Sequence, residues 1–132
     1  MRKQVFVIML AAALFGGQSW AAGWSPVKMD DHTVREVDMA SIVRNGPVAT
    51  FTARHTFDDL NEYRVDRHET KYLLIHYRVN CDLRTQAQLA TESYDEKMVL
   101  TGKHQIQSPP DLPVTKGSID DLMLNLVCKA GK

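Results

Sequence analysis

Residues 72–81 alternate strictly, with Leu73, Ile75, Tyr77, Val79 and Cys81 on one side and Tyr72, Leu74, His76, Arg78 and Asn80 on the other. Such a period of two predicts a strand with one face in a core and the other largely in water. The strand ends in a cysteine, and the second cysteine, Cys128, lies in a C-terminal segment with helical spacing. A bond between them would fasten a helix onto a strand. That clamp limits the chain to folds in which a helix closes over a sheet.

Whether the bond forms depends on the compartment. Arg2 and Lys3 supply a positive start, residues 5–15 an unbroken apolar run, and Ser19 and Ala21 the small residues around a cleavage point. These features predict a secretory signal peptide over residues 1–21, cut after Ala21. The apolar run is far short of the roughly 20 residues that cross a bilayer, so no transmembrane segment is expected. No cysteine stands near the cut to carry a lipid anchor. An exported chain folds where thiols are oxidised, so an even pair of cysteines predicts one disulfide, Cys81–Cys128. There is no Cys-x-x-Cys, and two thiolates do not complete a zinc shell.

Residues 22–132 are then a single domain, too short for two. Loss of Arg2 and Lys3 takes the basic count from 16 to 14 against 16 acidic residues, a net charge of about minus two. No basic stripe is present, which argues against a nucleic-acid partner.

Along the chain, residues 24–29 read as a first strand and residues 33–37 as a second. Asp38 suits a helix N-cap, Gly46 a helix C-terminal glycine and Pro47 a stop, so one or two helical turns are expected over residues 38–47. Residues 48–57 read as a strand whose core face is Ala49, Phe51, Ala53, His55 and Phe57. Residues 63–71 mix Arg64, Asp66, Arg67, His68, Glu69 and Lys71, an exposed strand extension or loop. Residues 85–94 and 97–106 read as a hairpin, with Met98, Leu100, Gly102, His104 and Ile106 sharing a face. Three prolines make residues 107–117 a loop. Ser118 then caps a helix with an acidic third position, and Ile119, Leu122, Met123, Leu126, Val127 and Ala130 form its expected apolar stripe. Cys128 falls off that stripe, nearer Leu124. The resulting fold class is α+β, an antiparallel β-sheet of about five to six strands packed by a C-terminal α-helix and fastened by one disulfide.

Taken together, Trp24 and Val27, Asp38-x-x-Ser41-Ile42-x-Arg44-x-Gly46, Cys81-x-x-Arg84, Tyr94-Asp95, Gly117-Ser118 and Cys128 give a pattern that resembles the surface-adhesin protein E family. These are small exported domains of Gram-negative bacteria. Glu96-Lys97-Met98 stands where such domains usually carry a glycine, and Asp111 where a tryptophan is common. The resemblance implies adhesion to a protein partner and raises haem as a small ligand. Arg44 and Tyr94 match family positions and are read as structural.

Motifs for catalysis are missing. His68-Glu69 starts like a zinc-protease pair, but Tyr72 stands at the second ligand position. His32, His55, His68, His76 and His104 form no recognised pair, and His55 and His104 fall on apolar-leaning faces as core histidines. Met29, Met39, Met98 and Met123 are read as core filler. No catalytic or metal site is expected. The chain is read as a non-enzymatic, adhesin-like domain, periplasmic or secreted, that binds a protein partner through a sheet edge or residues 58–71, with Arg64, Arg67 and Lys71 as its contacts. A small-ligand carrier, with haem the leading candidate, is the alternative.

Overall fold

The structure, a computed structural model, describes residues 23–29, 33–60 and 63–130. The expected signal peptide and His32 lie outside the described residues. Nine strands and one helix form among the described residues: β1 (Trp24–Met29), β2 (Thr33–Asn45), β3 (Val48–Phe57), β4 (Arg64–Val65), β5 (His68–Glu69), β6 (Tyr72–Asn80), β7 (Thr85–Tyr94), β8 (Leu100–Gln105), β9 (Leu112–Pro113) and α1 (Ile119–Ala130). An antiparallel sheet runs β1-β2-β3-β6-β7-β8, with β9 pairing the opposite end of the β7 edge. The two residues of β9 are regular structure in a stretch expected to be loop throughout.

Alternation in β6 builds the core as anticipated. Leu73, Ile75, Tyr77 and Val79 are buried, and their cross-strand partners His55, Ala53, Phe51 and Ala49 are buried beside them. Directly opposed residues share a face. Phe51 and Tyr77 stack with centroids 5.3 Å apart, and Met123, Leu124 and Val127 of α1 complete the cluster.

The helical turns expected over residues 38–47 do not form. That segment is the second half of β2, and residues 39–42 bulge out between Asp38↔Thr52 and Val43↔Thr50. The cap-type residues do their hydrogen bonding inside the bulge. The Asp38 carboxylate accepts from the Ala40 amide at 3.0 Å, Ser41 Oγ donates to the Asp38 carbonyl at 2.6 Å, and Ser41 Oγ accepts from the Thr52 amide at 2.8 Å. Short polar side chains serve either purpose, which is why the sequence pattern misleads. Gly46 has φ +60 as the first of two residues linking Asn45 to Val48, with Pro47 second, the arrangement of a type II′ hairpin. Arg44 is structural, bonding the carbonyls of Gly46 at 2.6 Å and of Cys128 in the last helical turn at 3.0 Å.

Ser118 caps α1, accepting from the Asp121 amide at 3.1 Å. The helix is rotated from its expected stripe. Leu122 and Ala130 are exposed, while Leu124 is buried and Cys128 packs against the core cluster. The reason is covalent. Cys81, just past the end of β6, bonds Cys128 with their Cα atoms 5.8 Å apart, so the Leu124–Cys128 side must face the sheet. Asp121, buried in the first turn, bonds Arg84 and the Gly117 amide and fixes the other end of the helix.

Of the expected core methionines, Met123 is buried and Met39 packs against the cluster, but Met98 is 48% exposed. His104 also faces solvent, where its Nε2 lies 2.7 Å from the Asp66 carboxylate. Both sit on or beside β8, an edge strand to which α1 does not extend.

Double replacement of Cys81→Ser and Cys128→Ser is expected to cost about 2 to 5 kcal/mol, because it removes the chain constraint and frees the helix to turn. Urea unfolding of the oxidised protein against the variant measures the loss, and a negligible difference would contradict the clamp.

Candidate functional site

Two adjoining concave regions stand out on the helix-bearing face of the sheet. The larger, a cleft of about 680 Å³, opens on the helix-bearing face. Leu73, Ile75 and Tyr77 line it from β6, Gln88 and Thr91 from β7, Arg35 and His55 from β2 and β3, and Ile119 and Asp120 from the start of α1. It exists because α1 packs toward β1, β2 and β3, away from the matching face of β7. That face is polar: Gln86, Gln88, Thr91 and Ser93 oppose the core residues Val79, Tyr77, Ile75 and Leu73. Phe57 and Tyr63, stacked 4.3 Å apart, close one end. A second hollow of about 360 Å³ shares Gln88 and Asp120 and continues along β7 to Ile106, Leu112 and Val114.

Arg35 and His55 are cross-strand partners at the head of the cleft. Arginine can only donate, so its Nη2, 3.4 Å from His55 Nδ1, makes that nitrogen the acceptor. Neutral His55 then carries its hydrogen on Nε2. Burial, followed by the charge of Arg35, pushes the His55 pKa down from its ordinary 6.5 to about 4. Burial likewise pushes the Tyr77 hydroxyl up to about 12. Arg35 Nη1 lies 3.5 Å from Asp120. The expectation of a hydrogen-bonded core histidine therefore holds for His55. Arg35 escaped notice, although its place two residues before core-facing Val37 puts a cation on an inward face, a signal present in the alternation of residues 33–37.

The hairpin carries the residues singled out from sequence. Asp66 and Arg67 link β4 to β5 with φ of +53 and +69, the pattern of a type I′ turn. Arg64 and Arg67 are exposed and held together, Arg64 Nη2 donating to the Arg67 carbonyl at 3.0 Å. They line a shallow hollow with His68, Glu69, Asp95 and Thr101. Lys71 is placed apart, in the link to β6, where its backbone bonds Phe57 and Tyr94. Next to the hollow, the Asp95 carboxylate accepts from the amides of Lys97 and Val99 and shapes a turn that leaves Met98, Val99 and Leu100 exposed by 48, 55 and 48%. Met98 has φ +64, at the point where a glycine was noted as usual.

On the opposite face of the sheet, His76 Nε2 lies 3.3 Å from Glu92, and the Tyr94 hydroxyl donates to Glu92 at 2.6 Å. That bond chiefly lowers the Glu92 pKa and raises that of Tyr94 to about 12. Tyr94 is thus tied into the sheet. Among the described residues no group of three or more His, Cys, Asp and Glu could hold a metal ion, and no helix is long and apolar enough to cross a membrane.

Residues 24–129 match the family described as surface-adhesin protein E. Solved structures of Haemophilus influenzae protein E share the fold. One crystal form II structure aligns with a TM-score of 0.64 at 19% identity, covering 84% of this chain and 91% of that one. A second gives 0.62 at 19% identity over 83% and 87%, and protein E from the non-typeable bacterium gives 0.59 at 17% identity over 86% and 80%. No curated protein sequence matches the chain.

His55 supplies a pH prediction. Its folded pKa lies below its unfolded one, so stability is full above about pH 6.5 and falls as pH drops toward 4, where the unfolded chain takes up a proton that the folded chain refuses. The gap corresponds to about 3 kcal/mol. Thermal melts between pH 7 and 4 should show this acid-side loss, and it should flatten in His55→Gln; an equal slope in both proteins would contradict the assignment.

Proposed function

Because this chain belongs to the surface-adhesin protein E family, we propose that it is a non-enzymatic, exported, adhesin-like module that binds a protein partner in the periplasm or outside the cell. The observation that carries this reading is the juxtaposition of the exposed arginines of the β4–β5 hairpin, Arg64 and Arg67, with the apolar turn at Met98, Val99 and Leu100. Arginine beside exposed apolar side chains is a composition favoured at protein interfaces. The hairpin is also held firmly enough to present them. Asp66 meets His104 on β8, and Gly102 lies so close beneath the hairpin that a Cβ there would sit 2.8 Å from Asp66.

The backbone at Met98 supports the same surface. A non-glycine residue in the left-handed region costs about 1 to 2 kcal/mol. A side chain half in water and outside the core cluster repays little of this by packing within the domain. Strain of this kind is retained where it presents a contact.

Two expectations follow. Alanine replacement of Arg64, Arg67 and Lys71 together should weaken capture of the partner roughly tenfold or more while leaving the melting temperature unchanged. The assay is retention from periplasmic extract and from host matrix proteins on the immobilised oxidised domain; unaltered retention would remove this placement. Met98→Gly should raise stability by about 1 kcal/mol and weaken the same capture. Gain of stability with full capture would leave Met98 outside the interface.

A further inference from the structure

The head of the cleft contains two buried polar nitrogens without partners, Arg35 Nε and His55 Nε2. Both are hydrogen-bond donors, the first because guanidinium has no acceptor and the second because Nδ1 already accepts from Arg35. His55 is only 7% exposed, so solvent does not readily meet its need. An unmet buried donor is costly, and two on adjacent strands at one end of a cavity call for an acceptor that enters from outside. Below them the lining turns apolar and aromatic, with Leu73, Ile75 and Tyr77 as floor and Phe57 and Tyr63 as end wall. The volume is that of a small-molecule site.

We propose that this cleft binds a small carboxylate with an apolar or aromatic body, its oxygens taking hydrogen bonds from Arg35 Nε and His55 Nε2 and its body lying on Leu73, Ile75 and Tyr77. The proposal goes beyond protein capture and does not depend on it. Among the lining residues, Arg35 is the one cation and Asp120 the one carboxylate. In the empty cleft Asp120 stands 3.5 Å from Arg35, and its side chain is 44% exposed. It is therefore loosely held, and an entering carboxylate competes with it for the guanidinium. Asp120 acts as a built-in rival whose removal strengthens binding.

The experiment titrates the oxidised protein with 3-phenylpropionate, the neutral 3-phenylpropanamide and the cation phenethylamine, read by calorimetry and by amide chemical shifts. The carboxylate should bind saturably, with shifts at Gln88, Thr91 and Ile119, and about tenfold or more tighter than the amide. Asp120→Asn should tighten it several-fold, and Arg35→Gln should weaken it about tenfold or more. His55→Phe, which keeps a buried ring and removes the donor, should also weaken it. If that variant fails to fold, the Asp120 and Arg35 variants decide the matter. Absence of carboxylate binding at millimolar concentration would overturn the proposal, leaving the donors to bound water. So would equal affinity for carboxylate and amide, or weaker binding in Asp120→Asn.

Discussion

The Cys81–Cys128 bond sets the rotation of the one described helix, and the rest of the working surface depends on that angle. An apolar stripe alone would seat Leu122 and Ala130 toward the sheet. The disulfide instead brings the Leu124–Cys128 side inward, and the Arg44 bond to the Cys128 carbonyl tightens the same corner. A cross-link of this span also restricts the unfolded chain, which matters in a domain with a core this small. Covalent geometry here outranks hydrophobic periodicity, since reaching the bond requires the turn and Leu122 loses its burial in consequence.

From that placement the cleft follows. With α1 drawn toward β1, β2 and β3, the corresponding face of β7 lies away from the helix, and it bears Gln86, Gln88, Thr91 and buried Ser93 where β6 bears Val79, Tyr77, Ile75 and Leu73. The register shift between His76 and Tyr77 adds one residue on β7 and keeps Gln88 and Thr91 on the helix side on either side of it. An apolar β7 would leave an open greasy face, and a fully polar β6 would leave no core. The strands divide the work, and the boundary between them is the floor of the cleft.

Much of this was legible in the residues. Period-two runs located β3 and β6, the short link at Asp95 and Glu96 located β7 and β8 as a hairpin, the two cysteines named the clamp, and Ser118 marked the helix start. The failures share a cause. Asp38, Ser41, Gly46 and Pro47 satisfy local backbone groups in a bulge and hairpin with the same chemistry that caps a helix, and only pairing with Thr50 and Thr52 of β3 distinguishes the two. His104 and Met98 have the right alternation for a core, but their strand lies at an edge that the helix does not reach. Alternation with Val37 puts Arg35 on an inward face, but its role comes from His55 across the ladder, a long-range pairing that no local pattern encodes. Arg64 and Arg67 were legible as an exposed mixed-charge run, though not as a tight turn, since Arg67 stands where such a turn usually has glycine.

The hairpin and the cleft are built from the same short strand. Tyr63 and Val65 line the cleft, whereas Arg64 between them turns to the outer hollow with Arg67. Alternation along three residues thus joins the two regions. A ligand seated on Leu73 and Ile75 rests against the Tyr63–Phe57 stack, and so against the strand that carries Arg64. Ordering one side of a strand restricts the other, because the backbone between them is common. By the reciprocity of linkage, any partner that favours one position of Arg64 must act equally on the affinity of the cleft, and the sign depends on whether both prefer the same position of the hairpin. The main sheet carries no such connection, since β3 and β6 are held by continuous pairing from Val48 to Tyr72. In the hairpin the pairing is limited to Arg64↔Glu69 and Val65↔His68, so its short backbone lets the outer surface and the cleft exchange free energy cheaply.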